Sequence, residues 1–94
     1  MKLINWNKDK NIWLKKCRKI GFEDVLYYMD NNFVKDDIEH TNKEQYPNQR
    51  IFVLDIEESI YLVPYVESNE EIFLKTIIPS RKATRDYLGE KNDE

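Results

Sequence analysis

The sequence is poor in the residues from which many small active centres are assembled. It has one cysteine, Cys17, and one histidine, His40. A single thiol excludes an internal disulfide and leaves no second sulfur for a redox pair or a cysteine-based zinc cluster. No spaced ligand set surrounds His40, so no metal is expected, and no small-molecule cofactor either. Long apolar runs are also missing. None approaches the roughly 20 residues of a membrane helix, and the start "MKLINWNKDK" lacks the apolar core of a signal peptide. The expected location is the cytoplasm.

Ninety-four residues suffice for one domain but not two. With 40% hydrophobic and 35% charged residues the chain reads as globular. The net charge of −3 argues mildly against a nucleic-acid binder, but its distribution is uneven. Residues 1–20 hold seven basic and one acidic side chain, residues 21–71 three and thirteen, and residues 72–94 five and four. Two basic ends flank an acidic middle. A fold that joined the ends would make a positive patch on an acidic body.

Residues 3–6, "LINW", suit a first strand or an apolar arm. From Lys8 to Lys19 no Gly or Pro intervenes, and Trp13, Cys17 and Ile20, with Leu14 beside them, mark the apolar side of a helix. Lys8, Lys15, Arg18 and Lys19 fall on its other side. After Gly21, the spacing of Phe22, Val25, Leu26 and Met29 predicts a second helix, with Glu23 and Asp24 in the turn where the helix dipole favours anions. A weak strand over 33–41 and a loop punctuated by Pro47 follow.

Three runs then read as an antiparallel meander: "RIFVLDI" (50–56), "IYLVPYV" (60–66) and "EIFLKTII" (71–78). Pro64 cannot donate to a ladder and marks a bulge or local edge. Pro79 ends the last strand. Ser80 is a good N-cap for a helix from Arg81 to about Leu88, stopped by Gly89. Residues 90–94 read as a frayed tail. The expected fold class is α+β, a small antiparallel sheet with two N-terminal helices and one C-terminal helix.

The stretch "TIIPSRKATRDY" concentrates Arg81, Lys82 and Arg85. Cations at a helix start oppose its dipole, so either an anion such as phosphate offsets them or they pair with the carboxylates of the middle segment. Both readings stand. His40 has the one side chain with an unperturbed pKa near neutrality, which makes it a candidate for proton transfer with Glu39 beside it, or else a surface histidine. Lys75 interrupts an apolar run; in a strand covered on both faces it needs a cleft or a carboxylate. Arg50 is a further candidate contact for phosphate. Tyr61, Tyr65 and Phe73 offer rings for stacking on bases or belong to the core, the commoner fate. Cys17 is expected on the core side of the first helix, without a nucleophile's surroundings.

Three stretches, "INWNKDKN", "GFEDV" and "IIPSRKATRDY", resemble in type and order the BrnT family of toxins from bacterial type II toxin-antitoxin systems. The terminal Arg-Lys-Ala-Thr motif is the most specific of them. The likeness spans most of the chain, though Lys19, Ile20 and Gly21 stand where many members have Lys-His-Gly. It implies a fold similar to the RelE ribonucleases, metal-independent cleavage of RNA by attack of a ribose 2′-OH on the adjacent phosphate, and inhibition by a ribbon-helix-helix antitoxin. Arg81 and Lys8 or Lys10 match family positions; Lys75, Arg50, Tyr65 and His40 are added from their chemistry. The alternative, of a different class, is a non-catalytic or inactivated toxin-like domain that binds a basic protein partner.

Overall fold

Two runs of β-branched and aromatic residues, joined by a two-residue turn, make the longest ladder of the molecule: β3 (Gln49–Ile56) and β4 (Ser59–Glu67) pair antiparallel from Gln49 opposite Val66 to Ile56 opposite Ser59. The computed structural model describes residues 2–89, so the expected tail at 90–94 lies outside the described residues. Around this hairpin are β1 (Leu3–Trp6), α1 (Lys8–Cys17), α2 (Phe22–Asp30), β2 (Val34–Glu39), β5 (Glu71–Leu74), β6 (Ile78–Pro79) and α3 (Arg81–Leu88). The fold is α+β, with a six-stranded sheet in the order β1-β5-β4-β3-β2 and β6 paired with β4.

The β2-β3-β4-β5 meander is antiparallel, but β1 adds to β5 in parallel. The sheet is therefore mixed. Four residues of "LINW" fit either direction, and the α1-α2 excursion returns the chain to the opposite edge.

Residues opposite one another in a ladder share a face. On one face Phe52, Leu54, Val63, Tyr65 and Leu74 meet Leu14 of α1 and Phe22 and Val25 of α2 in the main core. On the other face lie Val53 and Ile60, both fully buried, where α3 packs on β4. The Tyr87 hydroxyl at the end of α3 donates to Asp36 of β2 at 3.1 Å.

The expected strand over 71–78 is broken. Leu74 pairs with Tyr65, and pairing resumes with Ile78 opposite Leu62, which leaves one more residue on this run than on β4. The result is a bulge over 75–77, opposite Pro64, which has no N–H to extend a regular ladder. Lys75 N–H still donates to the Pro64 carbonyl at 2.8 Å, and Ile77 turns inward, fully buried. Lys75 is exposed rather than enclosed.

The first helix presents a different side from the one its apolar spacing indicates. Leu14 and Asn11 are buried, whereas Cys17 is exposed and Trp13 is 43% exposed. Asn11 explains the rotation. Its Oδ1 accepts the Phe22 N–H at 2.8 Å, and its Nδ2 donates to Glu23 at 3.0 Å. The side chain thus caps α2, whose N-cap residue Gly21 has none of its own. A Cβ on Gly21 would stand 2.6 Å from Lys15 Cε, 2.8 Å from Glu23 Oε1 and 3.0 Å from Asn11 Oδ1, so a larger residue would have to push aside the side chains that gather at this helix start. Ile20 reaches the core after the helix has ended, because Lys19 adopts a left-handed φ of 62°.

Candidate nucleic-acid interface

The two basic ends of the chain meet along the edge carrying the bulge. The first helix ends at Arg18, whose guanidinium donates to the Ile77 carbonyl in that bulge. Shortly after Ile77 in the chain Ser80 caps α3, its Oγ accepting the Ala83 N–H at 3.1 Å. The helix start is fixed to β4 by two further bonds, Ser80 N–H to the Ile60 carbonyl at 3.1 Å and Ile60 N–H to Thr84 Oγ1 at 2.9 Å. Arg81 is thereby held at the mouth of a recess of about 230 Å³ with Ser59, Tyr61, Pro79 and Ser80.

Tyr61 also lines an adjoining recess of about 250 Å³, together with Arg18, Lys19, Asp24, Tyr28 and Glu57. It is half-buried and shared by both. On the outer side of α1, Trp13 lies under two cations: Lys10 Nζ is 4.6 Å and the Arg18 guanidinium 5.2 Å from its ring centroid. Lys10, Trp13 and Arg18, followed by Lys19, Tyr61 and Arg81, make a track of cations and aromatic rings, with the carboxylates Asp24 and Glu57 in its middle recess. Such a combination suits single-stranded nucleic acid, because cations follow phosphates and rings stack on bases without regard to sequence.

The remaining sequence candidates are dispersed. Lys8 is exposed in the first turn of α1. Lys75 Nζ lies 5.4 Å above the Phe73 ring. Lys82 is paired with Asp86 at 2.9 Å, and Arg85 occupies the last turn of α3. His40 lies at the far end of β2, its N–H bonded to Gln49 and its Nδ1 accepting the Asn42 N–H at 3.0 Å. Its ring packs on Tyr46 at 4.6 Å. Gln49 and Leu54, the partner of Tyr61, are roughly 16 Å apart along β3 at the usual strand rise, so His40 does not join the track.

Arg50 and Tyr65 share the carboxylate of Asp37 at that same far end, Tyr65 buried and Arg50 partly exposed. The Tyr65 ring stacks on Phe52 at 4.0 Å, and its hydroxyl donates to both Asp37 oxygens at 2.8 Å. Arg50 Nε donates to Asp37 Oδ1 at 3.1 Å and Nη2 to the Asp37 carbonyl at 2.9 Å. Burial, followed by the bond to Asp37, pushes the Tyr65 phenol up to about 12. With 2% of its surface exposed, Tyr65 presents no face to a base.

Family models, curated proteins and solved structures all lack a match to this chain. No group of three or more potential metal ligands occurs among the described residues, and no described helix is long and apolar enough to cross a membrane. Periodicity puts Trp13 on the core side of the first helix and Arg18 and Lys19 on its polar side, and offers Tyr61 as a stacking ring or a core residue, but it does not bring the four together. The sole local signal is the spacing of Lys10 and Trp13, which puts a cation and an indole on one helix face.

Proposed function

We propose that the protein is a cytoplasmic ribonuclease toxin of the type II toxin-antitoxin class, with a RelE-like arrangement of helices on a sheet, neutralised by a ribbon-helix-helix antitoxin. The observation that carries this reading is the convergence of Arg18 and Lys19 from the end of α1 with Arg81 from the start of α3 around Tyr61. The resemblance of "IIPSRKATRDY" to the BrnT terminal motif supports it.

In this proposal the RNA backbone follows the track and bases stack on the rings of Trp13 and Tyr61. The ribose 2′-OH loses its proton as its oxygen attacks the neighbouring phosphorus, and the bond from phosphorus to the 5′-oxygen of the next nucleotide breaks. A 2′,3′-cyclic phosphate and a 5′-hydroxyl that has gained a proton result, while Arg81 with Arg18 stabilises the charge that develops on the phosphate oxygens. The Tyr61 hydroxyl, placed between the two recesses, takes part in proton transfer. This chemistry relies on side-chain cations and needs no metal.

The test is induced expression in a bacterial host, comparing wild type with Arg81→Ala while intact RNA is measured. Arg81 is exposed, so the substitution leaves the core alone. Growth arrest with RNA loss, relieved by Arg81→Ala, is the expected result. Normal growth and stable RNA from a folded wild-type protein would instead support the second reading, a non-catalytic domain for a basic partner, which the acidic charge of residues 21–71 favours.

A further inference from the structure

The chain leaving α2 and the tight turn between β3 and β4 meet to form another recess, of about 460 Å³, lined by Tyr27, Tyr28, Phe33, Asp55, Glu57 and Glu58. Its walls are aromatic. Tyr28 stands edge-on to Tyr27 and to Phe33, with ring centroids 5.2 and 5.3 Å apart. Tyr27 is 61% exposed and Phe33 39%. Adjacent open rings forgo burial that a small domain needs, and such patches commonly mark interaction sites.

Its rim is acidic, and no lysine or arginine among the described residues lines it. The field of these groups is felt at the wall: burial, and then charges that include Glu57, Asp24 and Asp55, raise the Tyr28 phenol above its ordinary value. Wall and rim are tied together. Asp55 N–H donates to the Phe33 carbonyl at 2.9 Å, and Asp55 Oδ1 accepts the Glu58 N–H at 3.0 Å. Glu57 and Glu58 occupy the turn with left-handed φ values of 55° and 68°. A two-residue hairpin turn of this kind favours Asn-Gly, so two glutamates there serve the turn poorly while placing two charges beside the rings.

We propose that this recess docks a basic segment of a protein partner, with one arginine side chain laid against the rings of Tyr28 and Phe33 and directed at the rim carboxylates. Arginine is the fitting cation because its flat guanidinium stacks on aromatic faces while its fork matches carboxylates. The charge of the surrounding segment, three basic against thirteen acidic residues, complements such a partner. The inference does not depend on RNA cleavage. An inhibitor of a ribonuclease and the partner of a non-catalytic domain would use the recess in the same way.

The probe is an acetylated tetra-arginine peptide titrated into the isotope-labelled full chain, followed by NMR. Saturating shifts centred on Tyr27, Tyr28, Phe33 and Glu57 are expected. Tetra-lysine should bind at least about fivefold more weakly, since an ammonium cannot stack flat on a ring. Phe33→Ala should weaken the arginine peptide by a similar factor. The double variant Glu57→Asn/Glu58→Gly suits the turn better and removes both charges, so weaker binding by that variant, with the fold retained, cannot come from unfolding. Shifts centred on Asp36–Glu39, an even spread over all carboxylates, or indifference to Phe33→Ala would overturn the proposal. So would shifts at the recess that follow protein concentration without peptide, which would assign it to a second copy.

Discussion

Tyr61 and Tyr65 lie on the same strand and, at even spacing, on the same face of the sheet, yet their surroundings differ in kind. Tyr65 is enclosed: its ring is stacked on Phe52 and its hydroxyl is bonded to Asp37, which also holds Arg50. Charge at that end of β4 is consumed within the fold. Tyr61 is half-buried between two recesses, with Arg18 and Lys19 on one side and Arg81 on the other. There the cations converge around a ring while the carboxylates Asp24 and Glu57 lie in only one of the two recesses. A positive residue near a tyrosine is thus a poor guide to a site, and the decisive question is whether an internal carboxylate already answers it.

The largest effect that would break this contrast lies at the closed end. Asp37→Ala leaves the Tyr65 hydroxyl buried without its acceptor, which should lower unfolding stability by roughly 2 kcal/mol. Asp37→Asn keeps an acceptor and should cost about half as much. Urea denaturation measures both. A decrease of under about half a kcal/mol for the alanine variant, well below the usual cost of an unsatisfied buried group, would mean that water reaches Tyr65 and that the end is less closed than its burial indicates.

At the open end the expected effect is on binding. Tyr61→Leu retains apolar packing but removes the ring, and should weaken single-stranded RNA by about tenfold, the usual scale of one stacked base. Tyr61→Phe should retain binding affinity while slowing cleavage, which separates stacking from proton transfer. Equal affinities for the leucine and wild-type proteins in a fluorescence titration would remove Tyr61 from the interface. Salt sharpens the comparison further. Neutralising one cation that binds a phosphate should reduce the slope of log affinity against log salt by roughly 0.7 for a single strand, so Arg81→Gln and Lys19→Gln should each flatten it. Lys82→Gln should not, because Lys82 is already paired with Asp86.

Much of the fold is legible in the residues. The stripe Phe22, Val25, Leu26, Met29 marks α2, the β-branched runs mark β3 and β4, and Ser80 with Gly89 brackets α3. What escapes has specific causes. Hydrophobic spacing misplaces the face of α1 because a polar residue, Asn11, occupies the buried position, and because Ile20 leaves the helical repeat at Lys19. The break after Leu74 depends on Pro64 in a neighbouring strand, so nothing within "EIFLKTII" announces it. Arg81 stands out through its motif, whereas Arg18, Lys19 and Tyr61 become a site through tertiary approach alone. Trp13 resembles a core residue in any pattern that counts apolar side chains. Its exposure follows once Asn11 sets the rotation of the helix.

The smallest effect concerns pH, and the difference between two variants isolates the closed end. The Tyr65 phenol is raised to about 12 by burial and by its bond to Asp37, against roughly 10 for an unfolded chain. A raised folded value means that the folded state holds the proton more tightly. Its contribution is fully present below about pH 10 and is lost as pH rises from about 10 to about 12. Wild type should therefore lose stability over that window faster than Tyr65→Phe, and the advantage it holds near about pH 8, below both values, should narrow. Burial likewise raises the phenols of Tyr28 and Tyr87, but both variants share them, so the difference between the two curves belongs to Tyr65. Parallel curves would show that the hydroxyl is neither desolvated nor held by Asp37 in solution, and Tyr65 would then no longer stand as the enclosed tyrosine of the pair.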